Sequence, residues 1–302
     1  MRLCLQNNDQ LLIACPAKLN LFLELHRRRE DGFHELETVM TKFGIFDFLL
    51  VAPTKSENLE LQVHANSRLK QQIIPSDENN LIIKSLRLVR DLAGCAFGAS
   101  IKLFKHIPVQ AGMGGASCNA AAAILAANRL WNINWPTPKL MDIASQIGSD
   151  VAFFLGDSLG RCTGKGEKVQ NLSSRCRFNI VVAQPPSGMS TAEIYSRCQV
   201  PTNPESSSRI LQGLADGNVT TVGKALFNRL ERFAQTVSSD IDRMRAEFQR
   251  TPCLGHQLTG SGSCYYGVYK NRRSMRAAAK ILANRLPEMN ILTGQTLASR
   301  NY

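Results

Sequence analysis

Between residues 18 and 25 the chain alternates without a break. Leu19, Leu21, Leu23 and Leu25 share one parity, and Lys18, Asn20, Phe22 and Glu24 share the other. Alternation of period two predicts a strand with its leucines on the core face. Residues 46–52, 59–64 and 99–105 read as further strands. Residues 80–92 repeat apolar positions at helical spacing and predict an amphipathic helix. After strand 99–105 a glycine-rich turn leads into an alanine-rich helix over 117–130. Residues 132–138 break that helix, and a second one covers 138–147 and stops at Gly148. Residues 161–172 predict a hairpin turning at Gly164 and Gly166. Residues 178–183 read as a buried strand closed by Pro185 and Pro186. The polar stretch 201–208 reads as a linker. Helices follow, then a strand pair around a turn at 259–263, then a basic helix over 272–286. Strands and helices mixed in this irregular order predict an α+β class.

A chain of 302 residues has room for two packed lobes, at roughly 100–200 residues per domain. Its 44% hydrophobic and 20% charged residues exclude fibrous and disordered classes. No apolar run approaches the ~18 residues that cross a bilayer. Residues 11–15 follow Asn7, Asn8, Asp9 and Gln10, with only Arg2 as a basic leader, so they read as a strand start and not a signal segment. The nine cysteines form no C-x-x-C pair, and Cys4, Cys15 and Cys264 lie in apolar runs. That usage predicts reduced, buried thiols in a cytoplasmic protein. His26, His34, His64, His106 and His256 lack metal-ligand spacing, which predicts no protein-built metal site. The net charge of +12 admits nucleic acid as a partner. However, the basic residues are spread along the chain, and no RNA-binding aromatic signature accompanies them. The expectation is a small-molecule substrate, with no specific nucleic acid and no membrane partner.

The most informative stretch is Pro108, Val109, Gln110, Ala111, Gly112, Met113, Gly114, Gly115, Ala116, Ser117 and Cys118. Its glycines allow positive φ and close approach of a ligand to the backbone. The helix that follows offers free N–H groups and the positive end of its dipole to an anion. Taken alone, the stretch also reads as a plain glycine turn before a helix. A P-loop is excluded, because Gly166 follows Gly164 and Lys165 where Ser or Thr is required. A dinucleotide fingerprint is excluded, because the first acid after the loop is Asp142, too distant and in another helix. Elsewhere, Lys18 and Asn20 are two apart on a strand and point the same way, about 6.6 Å apart. Asp150 precedes an apolar helix, where an acid is either an N-cap or a functional group.

This loop resembles the second motif of the GHMP kinase superfamily, with Met113 in place of Leu, Ala116 in place of Gly and Cys118 in place of Ser. Other stretches resemble the same superfamily in the same order, over about residues 14–269. They are Pro16-Ala17-Lys18-Leu19-Asn20-Leu21, the run from Asp31 to Thr38 with Phe33 for Tyr, Gly148-Ser149-Asp150-Val151, Gly164-Lys165-Gly166-Glu167, the run from Ser190 to Tyr195, and the run from Leu258 to Cys264. The resemblance implies a two-lobed α+β kinase with ATP as co-substrate and Mg²⁺ arriving with the nucleotide. Residues 1–165 would form a ribosomal-protein-like lobe, and 166–302 a ferredoxin-like α/β sandwich. It makes Asp150 the general base and Lys18 its charged partner, since a carboxylate beside an ammonium stays ionised and able to accept a hydroxyl proton. It assigns residues 108–118 to ATP and sets Lys105 near the adenine. It assigns Asn20, Phe33, His34, Thr191, Tyr195, Gly260 and Gly262 to the second substrate. Within that set Phe33 and Tyr195 stack on a cytosine and His34 reads its edge, which implies a cytidyl-linked alcohol. Mevalonate, homoserine or sugar kinases of the same superfamily are the nearest alternatives, and a basic RNA-binding module is the alternative of another class.

Overall fold

The computed structural model describes residues 1–7, 10–65 and 74–298. These form two compact units. Unit 1 comprises residues 1–17, 45–109 and 114–156; unit 2 comprises 18–44, 110–113 and 157–302. Two long strands, β2 (Gln10–Arg28) and β3 (His34–Thr54), contribute residues to both.

Unit 1 is a sheet covered by helices. Its strand order is β1-β2-β3-β5-β4, with β1 at Arg2–Asn7, β4 at Leu59–Ala65 and β5 at Gly98–Lys105. Strands β4 and β5 are parallel and are joined through α1 (Leu81–Ala93). The start of α1 is set by Asn80, whose side chain accepts from Ile82 N, and its end by Gly94 at φ 61°. Ile82, Leu86 and Val89 form its buried stripe. Helix α2 (Gly115–Leu130) is alanine-rich, and small side chains let it be buried on most of its circumference. It begins two residues before the expected 117, directly behind the glycine turn. Helices α3 (Thr137–Ile147) and α4 (Val151–Leu155) complete the unit.

Unit 2 contains the hairpin β6 (Leu159–Thr163) and β7 (Lys168–Asn171), with β6 pairing onto Thr38–Thr41 of β3. It also contains an antiparallel sheet of order β10-β11-β8-β12. These strands are β8 (Asn179–Gln184), β10 (Gly255–Leu258), β11 (Tyr265–Tyr269) and β12 (Asn290–Gln295). Helices α5 (Thr191–Arg197), α6 (Ser208–Ala215), α7 (Val219–Lys224), α8 (Glu231–Val237), α9 (Ser239–Gln249) and α10 (Arg272–Arg285) lie in the same unit. The short strand β9 (Phe227–Asn228) pairs with β2. Val181, Phe248, Met244, Tyr265, Tyr269 and Leu282 fill its core, each worth roughly 1.5–3 kcal/mol when fully buried. This is the expected α/β sandwich.

Three expectations need correction. The strand at 18–25 does bury its leucines, but its other face is buried too, with Lys18, Asn20, Phe22 and Glu24 at 3%, 2%, 2% and 0% exposure. The stretch 201–208 is not a free linker. Glu205 N donates to Glu24 Oε2 at 2.8 Å, and Ser207 Oγ donates to Glu37, both within unit 2. Cys15 and Cys264 are buried free thiols, but Cys4 is exposed, because β1 lies at the sheet edge.

Candidate active site

Two glycine turns lie against each other in unit 2. Gly112 has φ 69°, and Gly260 and Gly262 have φ 56° and 96°. Ser263 N donates to Gln110 O (3.2 Å) and Cys264 N to Ala111 O (3.3 Å). Thr259 Oγ1 donates to Gly112 O (3.2 Å). Asn228 Nδ2 braces the second turn from behind, donating to Leu258 O and Gly260 O at 2.9 and 2.8 Å. The fit leaves no room for a side chain: a Cβ on Gly112 would stand 1.9 Å from Thr259 O.

Lys18 and Asn20 sit beside these turns. Lys18 N donates to Met113 O (2.9 Å), and its ammonium donates to Asn20 Oδ1 (2.6 Å). The pairing follows from their two-residue spacing on β2. A Cβ on Gly260 would lie 3.2 Å from Lys18 Nζ, so the glycine gives the ammonium its space. The rest of Asn20 is held on every side. Its Nδ2 donates to Thr38 Oγ1 (2.8 Å), and its carbonyl accepts from Gln257 Nε2 (2.7 Å) and Tyr266 OH (2.8 Å).

Thr191, at the head of α5, has Oγ1 2.8 Å from Ser261 Oγ of the second turn. One helical turn on, the Tyr195 ring lies 5.6 Å from the His34 ring, tilted by 39°. His34 is buried, and its Nε2 has no hydrogen-bond partner among the described residues. Burial, and then the charge of Arg28, hold its pKa below the ordinary value. The ring is therefore neutral near pH 7, with one nitrogen left to offer. Phe33 stays 52% exposed, with Lys165 Nζ 5.0 Å over its ring. The structure thus joins His34 to Tyr195 and leaves Phe33 at the surface.

In unit 1, α2 starts at Gly115 behind Gly114, whose φ is 69°. Its N-cap residue, Gly114, has no side chain to cap the helix, and first-turn N–H groups of a helix favour an anion. Ala116 is exposed, and Cys118 is buried with its thiol beside that of Cys15. Asp150 is the residue before α4, yet its side chain makes no capping hydrogen bond. Lys105 is buried, and its ammonium is committed to the buried carboxylate of Asp47 at 2.5 Å. Among the described residues no group of three His, Cys, Asp or Glu side chains is placed to hold a metal ion. No helix among them is long and apolar enough to cross a membrane.

Several of these residues carried no motif. In the sequence Asp47 is one acid inside the apolar run 46–52, with nothing local to single it out. Thr38, which closes the Asp31–Thr38 run, supports Asn20; Gln257 and Asn228, which support Asn20 and the second turn, are polar residues within strands and give no periodic signal.

Residues 80–157 match the GHMP kinases N terminal domain, and residues 210–288 match the GHMP kinases C terminal domain. A 4-diphosphocytidyl-2-C-methyl-D-erythritol kinase of Rhodopirellula baltica is 36% identical, over 90% of this chain and 91% of the relative. A protein of the same name from Pelotomaculum thermopropionicum is 32% identical, over 87% and 90%. Among solved structures, a 4-(cytidine 5'-diphospho)-2C-methyl-D-erythritol kinase superposes with a TM-score of 0.75 at 28% identity, covering 94% of this chain and 98% of that one. The L. major mevalonate kinase in complex with R-mevalonate superposes with a TM-score of 0.71 at 15% identity, covering 95% and 96%, a likeness of fold alone.

Proposed function

The chain belongs to the 4-diphosphocytidyl-2-C-methyl-D-erythritol kinase family of the GHMP kinases, and from that premise we infer its reaction and the part each residue plays. It is an ATP-dependent small-molecule kinase of isoprenoid biosynthesis. The γ-phosphoryl of ATP passes to the 2-hydroxyl of 4-diphosphocytidyl-2-C-methyl-D-erythritol, giving ADP and the 2-phosphate.

The observation that carries the substrate reading is the His34–Tyr195 pair. A neutral, buried imidazole with an unpartnered Nε2 lies 5.6 Å from an aromatic ring. Such a pair suits a flat base that stacks on one group and is read at its edge by the other. Phe33 offers the opposite stacking face. Thr191, Gly260 and Gly262 line the path of the diphosphate, and Asn20 orients the polyol. Residues 108–118 cradle the ATP phosphates on the uncapped start of α2.

Phosphoryl transfer depends mainly on positioning and on neutralising charge at the transferred group. In this reading Asp150 accepts the proton of the attacking hydroxyl. Its side chain makes no capping hydrogen bond to α4. Lys18, held on Asn20 Oδ1, supplies the positive charge. Mg²⁺ enters bound to the nucleotide. Bound there, it would neutralise charge on the phosphates. The protein works in the cytoplasm on a small molecule, and its net charge of +12 favours anionic substrates. ADP release from purified protein, measured separately with the cytidyl substrate, mevalonate and homoserine, tests the reading. Turnover confined to mevalonate or homoserine would replace it with another GHMP kinase.

A further inference from the structure

We infer that Asp47 is a positioning residue for ATP binding, presetting the phosphate loop by fastening the chain on both sides of it to one buried carboxylate. The inference rests on the reading of residues 108–118 as the ATP cradle. Asp47 and the four residues it binds lie in unit 1. Asp47 sits on β3 with no exposed surface. Its Oδ1 accepts from His106 N at 2.7 Å and from Ile107 N at 2.8 Å. Its Oδ2 accepts from Lys105 Nζ at 2.5 Å and from Asn119 Nδ2 at 3.0 Å. His106 and Ile107 immediately precede Pro108, and Asn119 immediately follows Cys118. One side chain therefore grips the chain just before the loop and just after it.

Lys105 neutralises that carboxylate from directly beneath the loop. A Cβ on Gly115 would stand 2.7 Å from Lys105 Nζ and 3.1 Å from Ile107 Cγ2. The first residue of α2 is glycine where this ammonium and Ile107 press against it. Lys105 is 4% exposed, so it serves the nucleotide through the loop and not by reaching the adenine. A stabilising role alone is a poor account of the cluster. Buried ion pairs stabilise weakly against apolar replacements. The Asn119 amide donates its Nδ2 to Asp47 while its buried Oδ1 has no hydrogen-bond partner among the described residues. What the arrangement does supply is a loop already in shape before the phosphates arrive, which reduces the ordering cost of binding.

The test compares ATP Kd by calorimetry, KM for each substrate and Tm. In Asp47→Asn the ATP Kd and ATP KM should rise on the order of tenfold or more, with the KM for the alcohol substrate within about twofold. The double variant Asp47→Leu with Lys105→Met removes the charges together. Its Tm should exceed that of Asp47→Asn, because no buried ammonium is left without its carboxylate, while its ATP Kd stays raised, because the N–H groups of His106 and Ile107 have lost their acceptor. Asn119→Ala, which keeps the ion pair, should fold and raise the ATP Kd several-fold, and it answers the question if both Asp47 variants fail to fold. Folded variants that bind ATP as tightly as wild type would overturn the inference. Wild type that binds ATP but leaves the cytidyl alcohol unphosphorylated would sink the substrate reading alone and leave this comparison standing.

Discussion

Replacing Gly112 by alanine probes whether the two glycine turns must lie in contact. Two costs follow from the geometry. Gly112 has φ 69°, and a left-handed conformation costs an ordinary residue roughly 1–2 kcal/mol. The second cost is steric. The new Cβ would stand 1.9 Å from Thr259 O, where real contacts stay beyond 3.0 Å, and the atom it meets is backbone that cannot rotate away. The turns must part by about 1 Å, and a misplacement of ~1 Å at a reacting centre costs on the order of a hundredfold. Gly94 is the matched control. It has a similar φ of 61°, with nothing within 4 Å of the position a Cβ would take. Gly94→Ala should lose about 1–2 kcal/mol of stability and keep its kcat/KM. Gly112→Ala should lose a comparable amount of stability or more, and about a hundredfold in kcat/KM. Coupled ADP release and urea denaturation on both variants give the comparison. Equal kcat/KM in the two would show that contact between the turns is irrelevant to turnover.

Three further outcomes are expected. Asp150→Asn should lower kcat by ~10²–10⁴-fold with ATP affinity retained by calorimetry; a near-normal kcat would remove Asp150 from the chemistry. Tyr195→Ala should raise the Kd for the cytidyl substrate about ten- to a hundredfold, from a stacking contribution of about 1–3 kcal/mol, and His34→Ala should also weaken discrimination against a uridyl analogue; unchanged affinity in both would dismiss the pair as the base site. The third concerns Glu24: burial alone would raise its pKa, but the hydrogen bonds from Arg229 and from the N–H groups of Glu205 and Leu25, with the charge of Arg229, hold it below 4.5. A depressed carboxylate pKa adds stability above the unfolded value, and that stability is lost as pH falls through the folded one. Denaturation between pH 6 and pH 3 should therefore show a shallower acid loss in Glu24→Gln than in wild type, and identical slopes would refute the assignment.

How much of this was legible in the sequence depended on whether a residue's role was local. The strand at 18–25, the helix at 80–92 and the hairpin at 161–172 follow from periodicity and turn residues, which are local signals. Strand spacing put Lys18 and Asn20 on one face, but not their hydrogen bond. The buried second face of β2 was not legible, since a lysine, an asparagine and a glutamate in alternation read as solvated. What buries Glu24 is Arg229, 205 residues away. The same holds for Asn20, whose carbonyl partners are Gln257 and Tyr266. Asp47 was invisible for the same reason: its four donors come from after residue 104, and no local pattern links them. Resemblance located the residues that would touch the substrates, while those that hold them in place emerged only with the fold.

This chain should phosphorylate the 2-hydroxyl of a cytidyl-linked methylerythritol. Incubation with γ-labelled ATP and 4-diphosphocytidyl-2-C-methyl-D-erythritol, followed by phosphorus NMR of the products, tests it most directly. One labelled phosphate monoester on the 2-position is expected for each ADP formed. Label recovered only as inorganic phosphate, or label on mevalonate or homoserine supplied in competition, would contradict it.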